Sequence, residues 1–226
     1  MTTNEFETND SGTSSTHEML KRARANNAGK RPWQVWKSVE AGEVVDLFEQ
    51  SNKQAGAAGA EGASGSVPRV ELLDINFQGD LNIAYRVQMP VPRWPVDGKL
   101  QLGSSAVFHL HYREQWRWEA PAGWEPLGLV DPFDPYHPNM APSLGGAICL
   151  GTLPAGVSLK ELVLMGYYAL SLQNHVLDET DPHGVLNIPA CEFYRNHPEY
   201  LPLTHAGLAD PWQPPTAETE TGTIKI

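Results

Sequence analysis

The chain has 226 residues, 41% of them apolar and 9% aromatic, enough for one packed domain with extensions and too apolar for global disorder. Acidic residues outnumber basic ones 27 to 16, a formal net charge of −11. That balance argues against nucleic acid or an anionic membrane surface as partner, since both are recognised by clustered Lys and Arg. The longest apolar stretch, Leu162–Leu172, is roughly half the ~20 residues that span a bilayer. The N-terminus lacks the basic-then-apolar order of a secretory signal, and two cysteines cannot frame a disulfide scaffold. The expectation is a soluble cytoplasmic protein.

Residues 1–14 are polar and read as disordered. Residues 15–50 form an N-terminal helical segment. Ser15 and Glu18 have capping-box spacing for a short helix over 16–25, and Pro32 opens a stronger one to Gln50 with Trp33, Trp36, Val39, Val44, Leu47 and Phe48 on one stripe. Residues 51–66, almost wholly Gly, Ala, Ser and polar side chains, read as a flexible linker.

Beyond it the period changes to two. Strands are predicted over 67–76, 82–89 and 105–112, the last with Val107, His109 and His111 on one face and Phe108, Leu110 and Tyr112 on the other. Pro90, Pro92 and Pro95 mark a turn, and 121–139 reads as a proline-rich ordered loop or short strands. Helical spacing returns over 158–175 and again over 188–200, and 204–226 reads as a tail. The order is that of an α+β fold with helices segregated from an antiparallel sheet.

The densest chemical signal surrounds Cys149. Gly145 and Gly146 precede it and permit close backbone approach. Upstream, Pro138 holds His137 and Asn139 in fixed directions. An Asn carboxamide can donate to a developing oxyanion, so Cys149 with Asn139 suffices for acyl transfer through a thioester. On residue type alone a buried structural cysteine is the commoner outcome.

His137-Pro138-Asn139 followed by Gly-Gly-Ala-Ile-Cys-Leu ending at Leu150 resembles the HPN…G-x-I-C-L signature of ubiquitin-conjugating enzymes. Other segments follow in the family's order. Residues 113–121, with Trp116, Trp118 and Pro121, resemble its P-x-x-YPF-x-PP loop, and Asp181-Pro182, Leu186-Asn187, Ala190 and Tyr194 resemble its DP-L-N-x-x-A-x-x-Y segment. The resemblance covers 67–203, which it marks as the catalytic domain. It implies a UBC-like fold: an antiparallel meander sheet flanked by an N-terminal helix, a C-terminal crossover helix and one further helix. The spacings from Pro121 to His137 and from His137 to Cys149 are longer than in the usual eukaryotic pattern. Val157 stands near the place of the Trp that ordinarily follows the cysteine, and one helix follows Asp181. These departures point to a divergent, prokaryotic-type member, and with it to bacterial antiviral defence.

The resemblance implies that Cys149 accepts the C-terminal glycine of a ubiquitin-like modifier from an activating enzyme and passes it to an amine of a target protein, with no cofactor and no metal. Asn139 is then the oxyanion stabiliser, and Asp181 orients or deprotonates the amine. His183 shares that role or is a surface residue in a turn. His137 supports the loop, and Cys191 is a packing residue. Trp118 divides evenly between partner contact and core. Lys21, Arg22 and Arg24 dock the activating enzyme or form a solvated face. Two other classes stay open: a cysteine hydrolase using Cys149 and His137, and a non-catalytic UBC-fold binding module.

Overall fold

The computed structural model describes residues 31–61, 67–140, 144, 146–180 and 185–209. Helix α1 spans Pro32–Glu61. Four strands follow, β1 (Val70–Asn76), β2 (Leu81–Val96), β3 (Lys99–Tyr112) and β4 (Leu127–Asp131), then helices α2 (Leu159–Leu170) and α3 (Ile188–Asn196). The strands form one antiparallel meander in the order β1-β2-β3-β4. The molecule is α+β, and among the described residues no helix is long and apolar enough to cross a membrane.

Alternation in β3 places Ala106, Phe108, Leu110 and Tyr112 inward, as the period of two predicts. Tyr85 stacks on Phe108 at 5.0 Å, and Phe48 of α1 meets Tyr85 at 5.1 Å. Helix α2 covers β3 and β4 through Gly166, where a Cβ would fall 2.1 Å from Leu127 Cδ2. Its start is a capping box between Ser158 and Glu161. The Glu40 carboxylate of α1 accepts the Leu159 N–H at 2.9 Å, tying the two helices together. Burial pushes the Glu40 carboxyl above the usual carboxylate range. The helix over 16–25 and the segment 1–14 lie outside the described residues.

Several boundaries differ from the sequence reading, and three of them bear on the scaffold. The expected linker over 51–66 is helical as far as Glu61. Ala is the best helix former, and polar tethers dock this half of α1 onto the sheet. Ser51 Oγ donates to the Pro68 carbonyl at 2.6 Å, and the Asn52 carboxamide exchanges two bonds with the Val70 backbone, at 2.7 and 2.9 Å. The inward stripe is itself partly polar: Lys37 is buried and donates to the Phe77 and Gly79 carbonyls, whereas Val39 is exposed. Helix α1 therefore shares one core with the sheet and α2.

The second difference is the β2–β3 turn. Pro90, Pro92 and Pro95 do not end β2; register shifts at Gln88/Val91 and Arg93/Val96 absorb them. The chain reverses at Asp97-Gly98, both with positive φ (51° and 74°), the backbone a tight hairpin needs. The third is the expected tail. Tyr167 donates its hydroxyl to the Ala206 carbonyl at 2.7 Å, and Leu208 is fully buried in the main core. The packed chain thus runs through Ala209.

Candidate functional site

The site is built at the β4 edge. Gly146 has φ +78°, and a Cβ there would stand 2.4 Å from the Leu129 carbonyl oxygen. Only glycine takes that backbone at that approach. Its carbonyl accepts the Leu129 N–H at 2.9 Å, and Ile148 N–H donates to the Leu127 carbonyl at 3.2 Å. Residues 146–148 thereby continue the pairing beyond β4, and Ile148 also bridges Met140 in antiparallel sense. Cys149 N–H donates to the Asn139 carbonyl at 2.9 Å, and Leu150 N–H to the Gly123 carbonyl at 3.0 Å. Gly123 packs so close to Gly151 that a Cβ would sit 1.9 Å from its carbonyl oxygen. Cys149 is thus fixed between two backbone clamps, and it is half-buried rather than enclosed.

His137 faces inward and is fully buried. Its Nδ1 accepts the Asn139 N–H at 3.1 Å, which places the remaining ring proton on Nε2, donated to the Ala169 carbonyl at 2.8 Å. Burial holds its pKa down at about 4, so the ring is neutral at physiological pH. The Pro138 carbonyl accepts both Leu186 and Asn187 N–H groups, at 2.8 and 3.0 Å. The Asn139 carboxamide pairs with the Val176 backbone: Nδ2 donates to the carbonyl at 3.3 Å, and Oδ1 accepts the N–H at 3.2 Å. The His-Pro-Asn segment therefore anchors the ends of the 171–187 loop while presenting Asn139 beside Cys149.

Two depressions meet at Cys149. One, about 290 Å³, is polar where Asn139, Asn174 and His175 line it with Thr152. The other, about 440 Å³, is apolar, with Pro121, Trp124, Leu144, Leu153 and Leu186 on its walls. Trp124 is half exposed. Trp116 is core, edge-on to Tyr112 at 5.6 Å, whereas Trp118 is 59% exposed with the Arg117 guanidinium 5.8 Å over its ring. Cys191 lies buried in α3 and donates its thiol to the Leu177 carbonyl at 2.9 Å; burial pushes that thiol up.

The structure therefore brings Cys149, Asn139 and the bracing His137 together, and separates Cys191 from the groove. Asp181, His183, Lys21, Arg22 and Arg24 lie outside the described residues. His175 and Trp124 were not singled out from the sequence. The helical spacing over 158–175 carried His175 into the predicted helix, but α2 ends at Leu170 and Leu172 turns the chain at φ +57°. Among the described residues no group of three or more His, Cys, Asp or Glu could hold a metal ion. No protein-family model matches the chain, and no curated protein or solved structure was found to be significantly similar to it.

Proposed function

We propose that this chain is a UBC-fold acyl carrier of the ubiquitin-conjugating kind: Cys149 holds a ubiquitin-like modifier as a thioester and releases it to an amine of a target protein. The observation that carries this reading is the half-buried Cys149 at the seam of two open depressions, backbone-clamped on both sides. A seam of this shape suits an extended chain terminus on one side and an incoming side chain on the other. The meander sheet, the cysteine segment after β4 and the helix α2 over the sheet stand in the order that the His-Pro-Asn…Cys-Leu resemblance implies.

The chemistry asks little of the site. Exchange of one thioester for another is nearly isoenergetic, and aminolysis replaces a thioester with a more stable amide. What remains is to steady the tetrahedral oxyanion and to handle the amine's proton. In this reading the Asn139 carboxamide, held beside Cys149 by its bond to the Val176 carbonyl, turns an N–H to the acyl oxygen when the groove is filled, a contribution on the order of 10²–10³ in rate. Exposed Trp118 and Trp124 offer rigid aromatic surface for partner proteins, and Lys21, Arg22 and Arg24 contact the activating enzyme. A bacterial antiviral pathway is the setting this reading favours.

The hydrolase alternative needs a base within reach of the thiol. Both nitrogens of His137 are committed to backbone groups, and its ring has no exposed surface, which weighs against a Cys149–His137 dyad. The deciding assay combines the protein with ATP and with an activating enzyme and ubiquitin-like modifier encoded in the same genome. The expected result is an adduct that thiol reductant removes and that Cys149→Ala abolishes. Amidase activity without an adduct would favour the hydrolase, and neither would favour a binding module.

A further inference from the structure

Beyond the cysteine and the carboxamide, the described lining of the polar depression holds one more group that can move a proton. His175 lines the same depression as Cys149 and Asn139. Its Nδ1 lies 2.8 Å from the Leu172 carbonyl oxygen, a pure acceptor, so the geometry assigns the ring proton to Nδ1 and leaves the lone pair on Nε2. Nε2 has no hydrogen-bond partner among the described residues, and the residue is half-buried. Burial holds the imidazole below its ordinary range, partly countered by the Leu172 carbonyl. The ring therefore stands as a neutral base at physiological pH.

Among the described residues its neighbours do not compete for that task. His137, which also carries its charge penalty from burial and from His175, is saturated by backbone. On the same loop, the Asp178 carboxylate accepts both the N–H and the hydroxyl of Thr180, and Glu179 pairs with Arg195. Among the described residues that line the depression, Cys149 is the other titratable group. The ring is also held in place: Cys191 fastens Leu177 and Asn139 fastens Val176, the two residues that follow it.

We propose that His175 Nε2 is the proton acceptor for a primary amine attacking the acyl group on Cys149. This rests on the acyl-carrier reading above and adds a residue to it. The amine nitrogen bonds to the thioester carbon, the carbonyl oxygen takes the negative charge, and the nitrogen becomes cationic. Before the bond forms a lysine ammonium is far too weak an acid for an imidazole, but in the tetrahedral adduct its N–H protons are much more acidic. His175 takes one of them. The C–S bond then breaks with its electron pair on the Cys149 sulfur, and the imidazolium proton passes to that thiolate or to water. The amide, the thiol and the neutral ring result.

The test loads the full chain chemically with the mercaptoethanesulfonate thioester of acetyl-Gly-Gly, so that no modifier or activating enzyme is needed. Mass spectrometry maps the adduct to Cys149 and follows its loss to free lysine, with the loaded fraction measured first in each variant. His175→Asn keeps a donor for the Leu172 carbonyl and removes the base. It is expected to slow lysine-dependent loss about 10²-fold at pH 7.5, in the range of general-base effects. The ratio of wild-type to His175→Asn rates cancels the titration of lysine itself. It is expected to fall toward one below pH 6.5, the ordinary imidazole value, as the wild-type ring protonates. His175→Gln repeats the measurement if the Asn variant fails to fold.

Equal lysine-dependent rates in wild type and variant overturn the role of His175 and leave the acyl-carrier reading standing. So does a ratio independent of pH, or a loss found only in Asp181→Asn. A chain that forms no adduct on Cys149 overturns the acyl-carrier reading itself.

Discussion

The scaffold and the cysteine segment are held by different forces. In the scaffold, α1, α2 and the sheet meet through large apolar side chains, with Tyr85, Phe108, Leu110 and Tyr112 fully buried between them. Around Cys149 the links are hydrogen bonds, many of them backbone to backbone: Asn139 to Cys149, Gly123 to Leu150, Pro138 to Leu186 and Asn187. Apolar burial is non-directional and tolerates small shifts, whereas a hydrogen bond fails beyond a few tenths of an ångström. The first kind of cohesion gives stability, and the second gives position. Damage to one should thus be separable from damage to the other.

The largest effect belongs to the scaffold. Phe108→Ala removes a fully buried ring stacked on Tyr85 and is expected to lower unfolding stability by about 3–5 kcal/mol. Chemical denaturation reads it. If acylation of Cys149 in the fraction still folded also fell sharply, the separation of the two regions would break.

Next comes a residue that belongs to both regions. His137 is buried like the core, yet it holds Asn139 and α2 by hydrogen bonds. Its pKa is held at about 4 in the folded chain against 6.5 when unfolded. Above pH 6.5 the ring is neutral in both states and imposes no cost. As pH falls through the interval the unfolded chain takes up the proton first, so stability declines, by up to about 3 kcal/mol at the low end. His137→Gln keeps a donor for the Ala169 carbonyl and carries no titrating ring. Urea titrations at pH 7, 5 and 4 should therefore show a smaller acid decline in the variant. An equal decline would assign the acid sensitivity to other groups.

The same division explains what could be read from the sequence. The alternation of β3 and the stripe of α2 were legible because apolar burial imposes periods of 2 and 3.6 on side chains. The far half of α1 was not, because Ser51 and Asn52 dock it with polar atoms that the apolar pattern does not register. The hairpin at Asp97-Gly98 was masked by three nearby prolines, although an Asp-Gly pair is itself a turn signal. At the site, Cys149, Asn139 and His137 stood out because they are close in sequence. His175 and Trp124 reach the same groove from separate loops, and a lone His or Trp has no spacing to announce it. Where α2 ends depends on the left-handed turn at Leu172, a residue type that ordinarily avoids that backbone.

The smallest effect sharpens the comparison most. Cys191 is buried in α3, but its thiol reaches across to the Leu177 carbonyl, two residues beyond His175. A thiol is a weak donor, and Cys191→Ala also removes little buried volume, so the global cost is expected to be about 1 kcal/mol. If position in the 171–187 loop rests on such bonds, the loss should be local. Amide hydrogen exchange should quicken over the loop around Val176 and Leu177, while the amides of β2 and β3 keep their protection once the global change is subtracted. Lysine-dependent discharge from Cys149 should slow as His175 loses its fixed aim. Uniform quickening across sheet and loop would mean that the thiol acts only as core filling, and the two regions would then differ in composition but not in how they hold together.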